Sequence, residues 1–135
     1  MLCFPMNISH VNPDSMYKNP AFSQVVVLEG SAKLVFVGGQ NGVLPDGSMA
    51  GDDLASQSEQ ALLNLLEALK AVGAKQENVL KLTIIMVQGG DFAGAYGTAQ
   101  KIWGSHPTAI TGMVVAGLAN PKALIEIEAI AAVEP

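Results

Sequence analysis

Two carboxylates lie one residue apart near the end of the chain, in the stretch ALIEIEAIAAV from Ala123 to Val133. The segment is short, rich in Ile and Val and free of Gly and Pro, which predicts a β-strand. Side chains alternate along a strand, so Glu126 and Glu128 share one face, while Ile125, Ile127, Ala129, Ala131 and Val133 share the other. Two residues of strand rise separate the acids by roughly 6.6 Å. The chain has seven Lys and no Arg, so no forked cation meets them. A carboxylate among apolar neighbours can take and return a proton, and Glu126 is a candidate for that work. Its other reading is a bond to backbone or to a neighbouring subunit. Burying two nearby acids without counter-charge is costly, so Glu128 is read as structural or exposed.

Other groupings carry less chemistry. The VGGQNG stretch, residues 37–42, has the glycines of a phosphate loop but no Lys-Ser or Lys-Thr after them. A strand end entering a turn is the better reading, with a backbone amide still able to touch a ligand. His10 and His106 are distant in sequence and lack metal-ligand spacing, so no metal site is expected. No nucleophile elbow or Ser-His-Asp pattern is visible. Trp103 is read as packing, and His106, before Pro107, as a loop or helix-end residue. Asn7 begins an Asn-Ile-Ser triplet of the kind that arises by chance. Cys3 has no second cysteine to pair with and reads as a free thiol in the terminus.

The elements that must position Glu126 follow from pattern. At 135 residues the chain reads as one domain, 1–135, with residues 1–19 as an extended or looped N-terminal segment. SQVVVLEG and AKLVFVGGQ read as two strands joined at Gly30 in an antiparallel hairpin. In the stretch 52–74, Leu54, Ala61, Leu62, Leu65, Leu66, Leu69 and Val72 recur at the helical period, with Asp52 or Asp53 to cap the start and Gly73 to end it. NVLKLTIIMV is a buried strand. DFAGAYGTAQKIWG is a second helix capped by Asp91, whose Gly94 and Gly97 would permit close approach to another backbone. TAITGMVVAG and ALIEIEAIAAV close the chain as strands. The order β-β-α-β-α-β-β predicts an α/β (α+β) two-layer sandwich, a mixed sheet with both helices on one face. Glu126 and Glu128 then lie on the uncovered face.

Composition says what meets that face. Hydrophobic residues make up 50% of the chain and charged residues 14%, against about 25% charged in an ordinary domain. Such a shortage of charge points to surface hidden in a homo-oligomer. The net charge of −5 argues against a nucleic-acid partner, because phosphate contacts need clustered Lys and Arg. No secretory signal or membrane-length apolar run is present, so a cytoplasmic location and no membrane partner are expected.

The succession of FSQVVVLEGSAKLVFVGGQNG, GDDLASQSEQALLNLLEALKAVGA, NVLKLTIIMV, DFAGAYGTAQKIWGSHPTA and ALIEIEAIAAV resembles the YjgF/RidA family, also called L-PSP endoribonucleases, over roughly residues 20 to 134. The resemblance implies a chorismate-mutase-like homotrimer whose sheets face a central barrel, with small-molecule clefts between subunits. It implies hydrolysis of reactive enamines and imines to ammonia and a 2-oxo acid, without metal or cofactor. Glu126 matches the glutamate that holds the attacking water. Gly39 matches a glycine whose backbone faces ligand, and Phe22 stands where the family has a tyrosine. Tyr96 falls at the position of a helix asparagine. Ile110 is assigned the place of the carboxylate-clamping arginine, and Gly112 that of a Cys, Ser or Thr two residues on. An alkyl chain cannot reproduce a planar bidentate fork. Three functions stay open: a deaminase of altered substrate preference, a non-catalytic metabolite-binding or regulatory trimer, and an endoribonuclease, which the acidic charge disfavours.

Overall fold

The computed structural model describes residues 4–135, so Cys3 lies outside the described residues. Six strands and two long helices follow in the order β1 (Asn7–Val11), β2 (Val25–Glu29), β3 (Lys33–Gln40), α1 (Leu54–Ala71), β4 (Val79–Val87), α2 (Phe92–Trp103), β5 (Ala109–Val115) and β6 (Ile125–Val133). A four-stranded mixed sheet runs β3-β6-β4-β5, and β1 and β2 form a separate antiparallel pair. The two helices pack on the sheet, giving the expected α+β sandwich. β4 and β5 are parallel, which requires the crossover that α2 supplies.

The hairpin expected at Gly30 does not form. β2 pairs with β1, from Asn7↔Glu29 to Val11↔Val25, and β3 pairs with β6. The segment expected to be extended or looped supplies β1, which pairs with β2 in place of β3. Ser31 N–H donates to the Phe4 carbonyl at 3.0 Å, and a Cβ on Gly30 would stand 2.7 Å from the Pro5 carbonyl carbon. With φ at +86°, Gly30 turns the chain out of the small sheet into the large one, a conformation that costs glycine little.

Along α1 the stripe is buried as its period predicts, except that Leu66 is half-buried and Val72 is exposed. Asp53 caps the helix, its carboxylate accepting from Ser56 N–H at 2.8 Å, and its bonds to Ser56 hold its pKa below the usual carboxylate value. Two polar residues share the buried stripe, Gln57 and Ser58. Gln57 Nε2 donates to the Gly51 and Lys122 carbonyls, and its Oε1 accepts from Leu124 N–H at 2.8 Å. One side chain thus ties the loop before α1 to the start of β6.

The glycines of α2 do not serve close packing as expected. A Cβ on Gly97 would meet nothing within 4 Å, and one on Gly94 would meet the helix's own cap, Asp91. Ala95 and Trp103 are the buried residues of this helix. Among the described residues no helix is long and apolar enough to cross a membrane.

Candidate functional site

β6 runs between β3 and β4, and its alternation puts Ile125, Ile127, Ala129 and Ala131 in the core. Glu126 and Glu128 therefore emerge on the face away from the helices, Glu126 half-buried and Glu128 exposed. Opposite them the β3–β6 register shifts between Val37↔Ala129 and Gln40↔Ile127. Two residues, Gly38 and Gly39, stand against the single Glu128, the pattern of a β-bulge. A Cβ on Gly39 would lie 2.7 Å from the Glu126 carboxyl carbon and 2.8 Å from its Cγ. Glycine is what lets the Glu126 side chain fold across the backbone of β3.

The neighbours of Glu126 follow from register. Ile85 on β4 is its partner, and Met113 on β5 is the next in that row; Thr83 and Thr111 continue the row of Glu128. The following row holds Ile130, Lys81 and Ala109. Lys81 Nζ donates to Thr111 Oγ1 at 2.6 Å, a point cation on the same face as the acids. Among the described residues the ion pair is Lys18–Asp14, so neither glutamate has a cationic partner. Leu34 and Phe36 are 54% and 72% exposed on this face. The arrangement offers a free carboxylate for proton transfer or water binding, glycine backbone beside it, and a broad apolar surround.

Ile110 and Gly112 are not part of it. They pair with Leu82 and Ile84, whose parity is that of the core, so they lie on the helix side of the sheet. Within one subunit a side chain at position 110 therefore points to the helix side and not to the face that carries Glu126. On β5 the residues that face outward are Ala109, Thr111 and Met113. A cavity of about 400 Å³ lies on the helix side, lined by Ile110 and by Tyr96 of α2 among others. Phe22 is half-buried in a short bridge with Asn19, next to Pro20 and Ala21, which line the same cavity. The six selected residues thus fall into two groups, Glu126 with Gly39 and Tyr96 with Ile110, on opposite sides of the sheet. Phe22 and Gly112 belong to the helix side without lining the cavity.

Strand parity could have separated these groups. In HPTAITG the residues alternate, so Ala109 and Thr111 had to share a face that excludes Ile110. Ser58 was legible too, because it falls four residues from both Leu54 and Leu62 on the buried stripe. The histidines have structural surroundings: His10 Nδ1 lies 2.9 Å from Ser23 Oγ and 3.0 Å from the Pro107 carbonyl oxygen. Trp103 Nε1 donates to the His106 carbonyl at 3.3 Å, consistent with a packing role. Among the described residues no three His, Cys, Asp or Glu gather to hold a metal.

Residues 14–133 match the family model described as Endoribonuclease L-PSP. A rat protein named 2-iminobutanoate/2-iminopropanoate deaminase is 36% identical over 122 residues, covering 85% of this chain and 82% of its own. The human protein of that name is 33% identical over 112 residues, covering 82% of this chain and 78% of its own. Among solved structures, a Yersinia pestis protein of unknown function in the conserved Rid family superposes with a TM-score of 0.81 at 32% identity, covering 95% of this chain and 100% of that one. A Mycobacterium tuberculosis member of the YjgF/YER057c/UK114 family gives 0.63 at 28% identity, covering 94% and 100%.

Proposed function

This chain belongs to the YjgF/RidA (endoribonuclease L-PSP) family, and on that premise we propose that it hydrolyses reactive enamine or imine intermediates in a cleft completed by a second subunit. The observation that carries the reading is the Glu126 carboxylate, free of a cationic partner and seated against Gly39. Imine hydrolysis asks little else of a protein. As water attacks the imine carbon, Glu126 accepts one of its protons and the imine nitrogen takes up a proton from solvent, which gives a carbinolamine. Glu126 returns its proton to the amine, the carbon–nitrogen bond breaks as the hydroxyl gives up its proton to solvent, and ammonia leaves a carbonyl behind. Such general acid/base assistance is worth about 10²–10⁴-fold in rate.

The trimer is part of the proposal, supported by the apolar open face with Leu34 and Phe36 and by the family pattern. Burying that face would narrow the space around Glu126 into a cleft. The substrate preference departs from that of relatives acting on 2-imino acids, because no arginine is present and Lys81 offers only a point charge. The same lack supports a second reading, a trimer that binds a small metabolite without turning it over. Nucleic acid is disfavoured by the net charge of −5.

The test is ammonia release from imines generated in situ by a pyridoxal-phosphate-dependent dehydratase, with and without the protein. Acceleration that Glu126→Gln abolishes supports the hydrolase. Ligand binding with no acceleration supports the non-catalytic trimer.

A further inference from the structure

Past the bulge, backbone pairing between β3 and β6 stops. Its last pair is Gln40↔Ile127, and one step further Asn41 would stand opposite Glu126. A side chain takes over where the ladder ends, Asn41 Nδ2 donating to the Ile125 carbonyl at 3.0 Å. That carbonyl belongs to the peptide group that joins Ile125 to Glu126. On its other side the same stretch is paired with β4, as Ile85↔Glu126 and Met86↔Ile125. The backbone from which the Glu126 carboxylate projects is thus held by a strand on one edge and by one amide on the other.

Asn41 is itself held from the helix layer. Asn64 of α1 is half-buried, and its Nδ2 donates to the Asn41 carbonyl at 3.0 Å and to the Val43 carbonyl at 2.8 Å. One turn earlier, Gln60 Nε2 donates to Asn64 Oδ1 at 2.9 Å, which orients the Asn64 amide with its nitrogen toward these carbonyls. Gly42 brings the chain close enough for these bonds. A Cβ there would lie 2.6 Å from the Gln57 carbonyl oxygen and 2.7 Å from the Gln57 Cα, so a side chain would push this segment off α1. A carboxamide suits position 41, because it supplies a donor to the carbonyl without placing a charge beside the carboxylate.

We infer that Asn41 is a positioning residue for Glu126, and that Asn64 carries the hold of α1 through it to the open face. Gly39 leaves room for the carboxylate, and Asn41 sets the peptide from which it hangs. The effect on rate rests on the proposed hydrolysis, while the placement of the carboxylate can be measured without turnover.

Two measurements test the inference. By nuclear magnetic resonance, the Gly39 amide should follow the titration of the adjacent Glu126 carboxyl, and Glu126→Gln should abolish that response. Asn41→Ala should strongly reduce it in a protein that still melts cooperatively. If the melt shows Asn41→Ala unfolded, Asn41→Ser replaces it with the same expectation. In the ammonia-release assay, Asn41→Ala should lower kcat by about ten- to a hundredfold, the cost of a misplaced reacting group, with KM within about threefold. In the Glu126→Gln background it should cost less than about twofold, because the group it positions is already gone. Asn64→Ala should act in the same direction and more weakly. A parent protein whose Gly39 resonance ignores pH would overturn the inference. So would an undiminished response in folded Asn41→Ala, or an equal loss of rate with and without Glu126. Absence of ammonia release from the parent, with the Gly39 response still dependent on Asn41, would sink the hydrolase reading and support the positioning role.

Discussion

Glu126 and Gly39 occupy one another's space: the carboxyl group of the first lies where a side chain on the second would begin. The three nearest atoms that a Cβ at position 39 would meet belong to the Glu126 side chain, which is flexible and half-buried. Gly39→Ala can thus be accommodated by swinging the carboxylate away. Its stability cost should stay below about 1 kcal/mol, visible as a small shift in a denaturant midpoint. Imine hydrolysis should nevertheless fall, because a misplaced reacting group loses much of its effect. Unfolding, or full activity in the folded variant, would contradict this account of the glycine.

Glu126→Gln separates charge from shape. The amide keeps the size of the carboxylate and cannot accept a proton from water near neutrality. Any deaminase rate should drop by about 10²–10⁴-fold, with the assembly and ligand affinity preserved. Glu128→Gln is the control, since Glu128 is exposed and sits one row further from Ile85. An equal loss at both positions would mean that net charge on the face matters and that Glu126 has no special place.

The open face makes a prediction about assembly. Phe36 and Leu34 are exposed on the side of the sheet away from the helices, with Phe36 beside the half-buried Ile130. Burying large apolar side chains there is worth roughly 1.5–3 kcal/mol each. Light scattering at micromolar concentration should return a trimer mass, and Phe36→Glu should shift it toward monomer. A monomeric wild-type protein would remove the intersubunit cleft and the proposed hydrolase site with it.

These contrasts bear on what a sequence discloses. The burial of α1 was legible because seven residues repeat at one period, and β6 because its acids alternate with Ile and Ala. The pairing of β2 was not legible. Val25–Glu29 can add to either neighbour, and the choice falls to β1, whose short polar-rich sequence NISHV gives little strand signal of its own. Glu126 and Gly39 come together through a bulge that no local pattern announces. The division of the site residues into two faces was within reach, since alternation alone places Ile110 opposite Thr111.

Ser58 tests the buried polar stripe directly. Its hydroxyl is desolvated without a partner among the described residues, a loss that mutational series put at about 1–3 kcal/mol. Ser58→Ala removes the penalty and opens a space no larger than one oxygen atom. The unliganded variant should be more stable than the parent by about 1 kcal/mol, raising its melting temperature by a few degrees. For most buried residues the sign is opposite. A clear fall in melting temperature would mean that the hydroxyl is satisfied in solution.

The last prediction concerns anions. With no arginine in the chain, a substrate carboxylate on the open face meets Glu126 and Glu128 and, as a cation, Lys81, already bonded to Thr111. A charge-assisted hydrogen bond contributes about 1.5–3 kcal/mol, so small 2-oxo acids should bind weaker by roughly one to two orders of magnitude than they would to a forked clamp. Neutral ligands with an apolar end should bind better. Position decides how the clamp can be restored. Ile110→Arg would drive a guanidinium into an apolar cavity, where an unpaired charge is expelled or destabilises the fold by several kcal/mol, and 2-oxobutyrate affinity should not rise. Ala109→Arg and Thr111→Arg extend from the outward side of β5, on the face that carries Glu126. Isothermal titration with 2-oxobutyrate should show a gain of about tenfold or more for at least one of them. Tight binding by the parent protein would mean that Lys81 or the amides near Gly39 already hold the carboxylate. A gain from Ile110→Arg alone would mean that the helix side of one subunit meets the Glu126 face of its neighbour in the cleft.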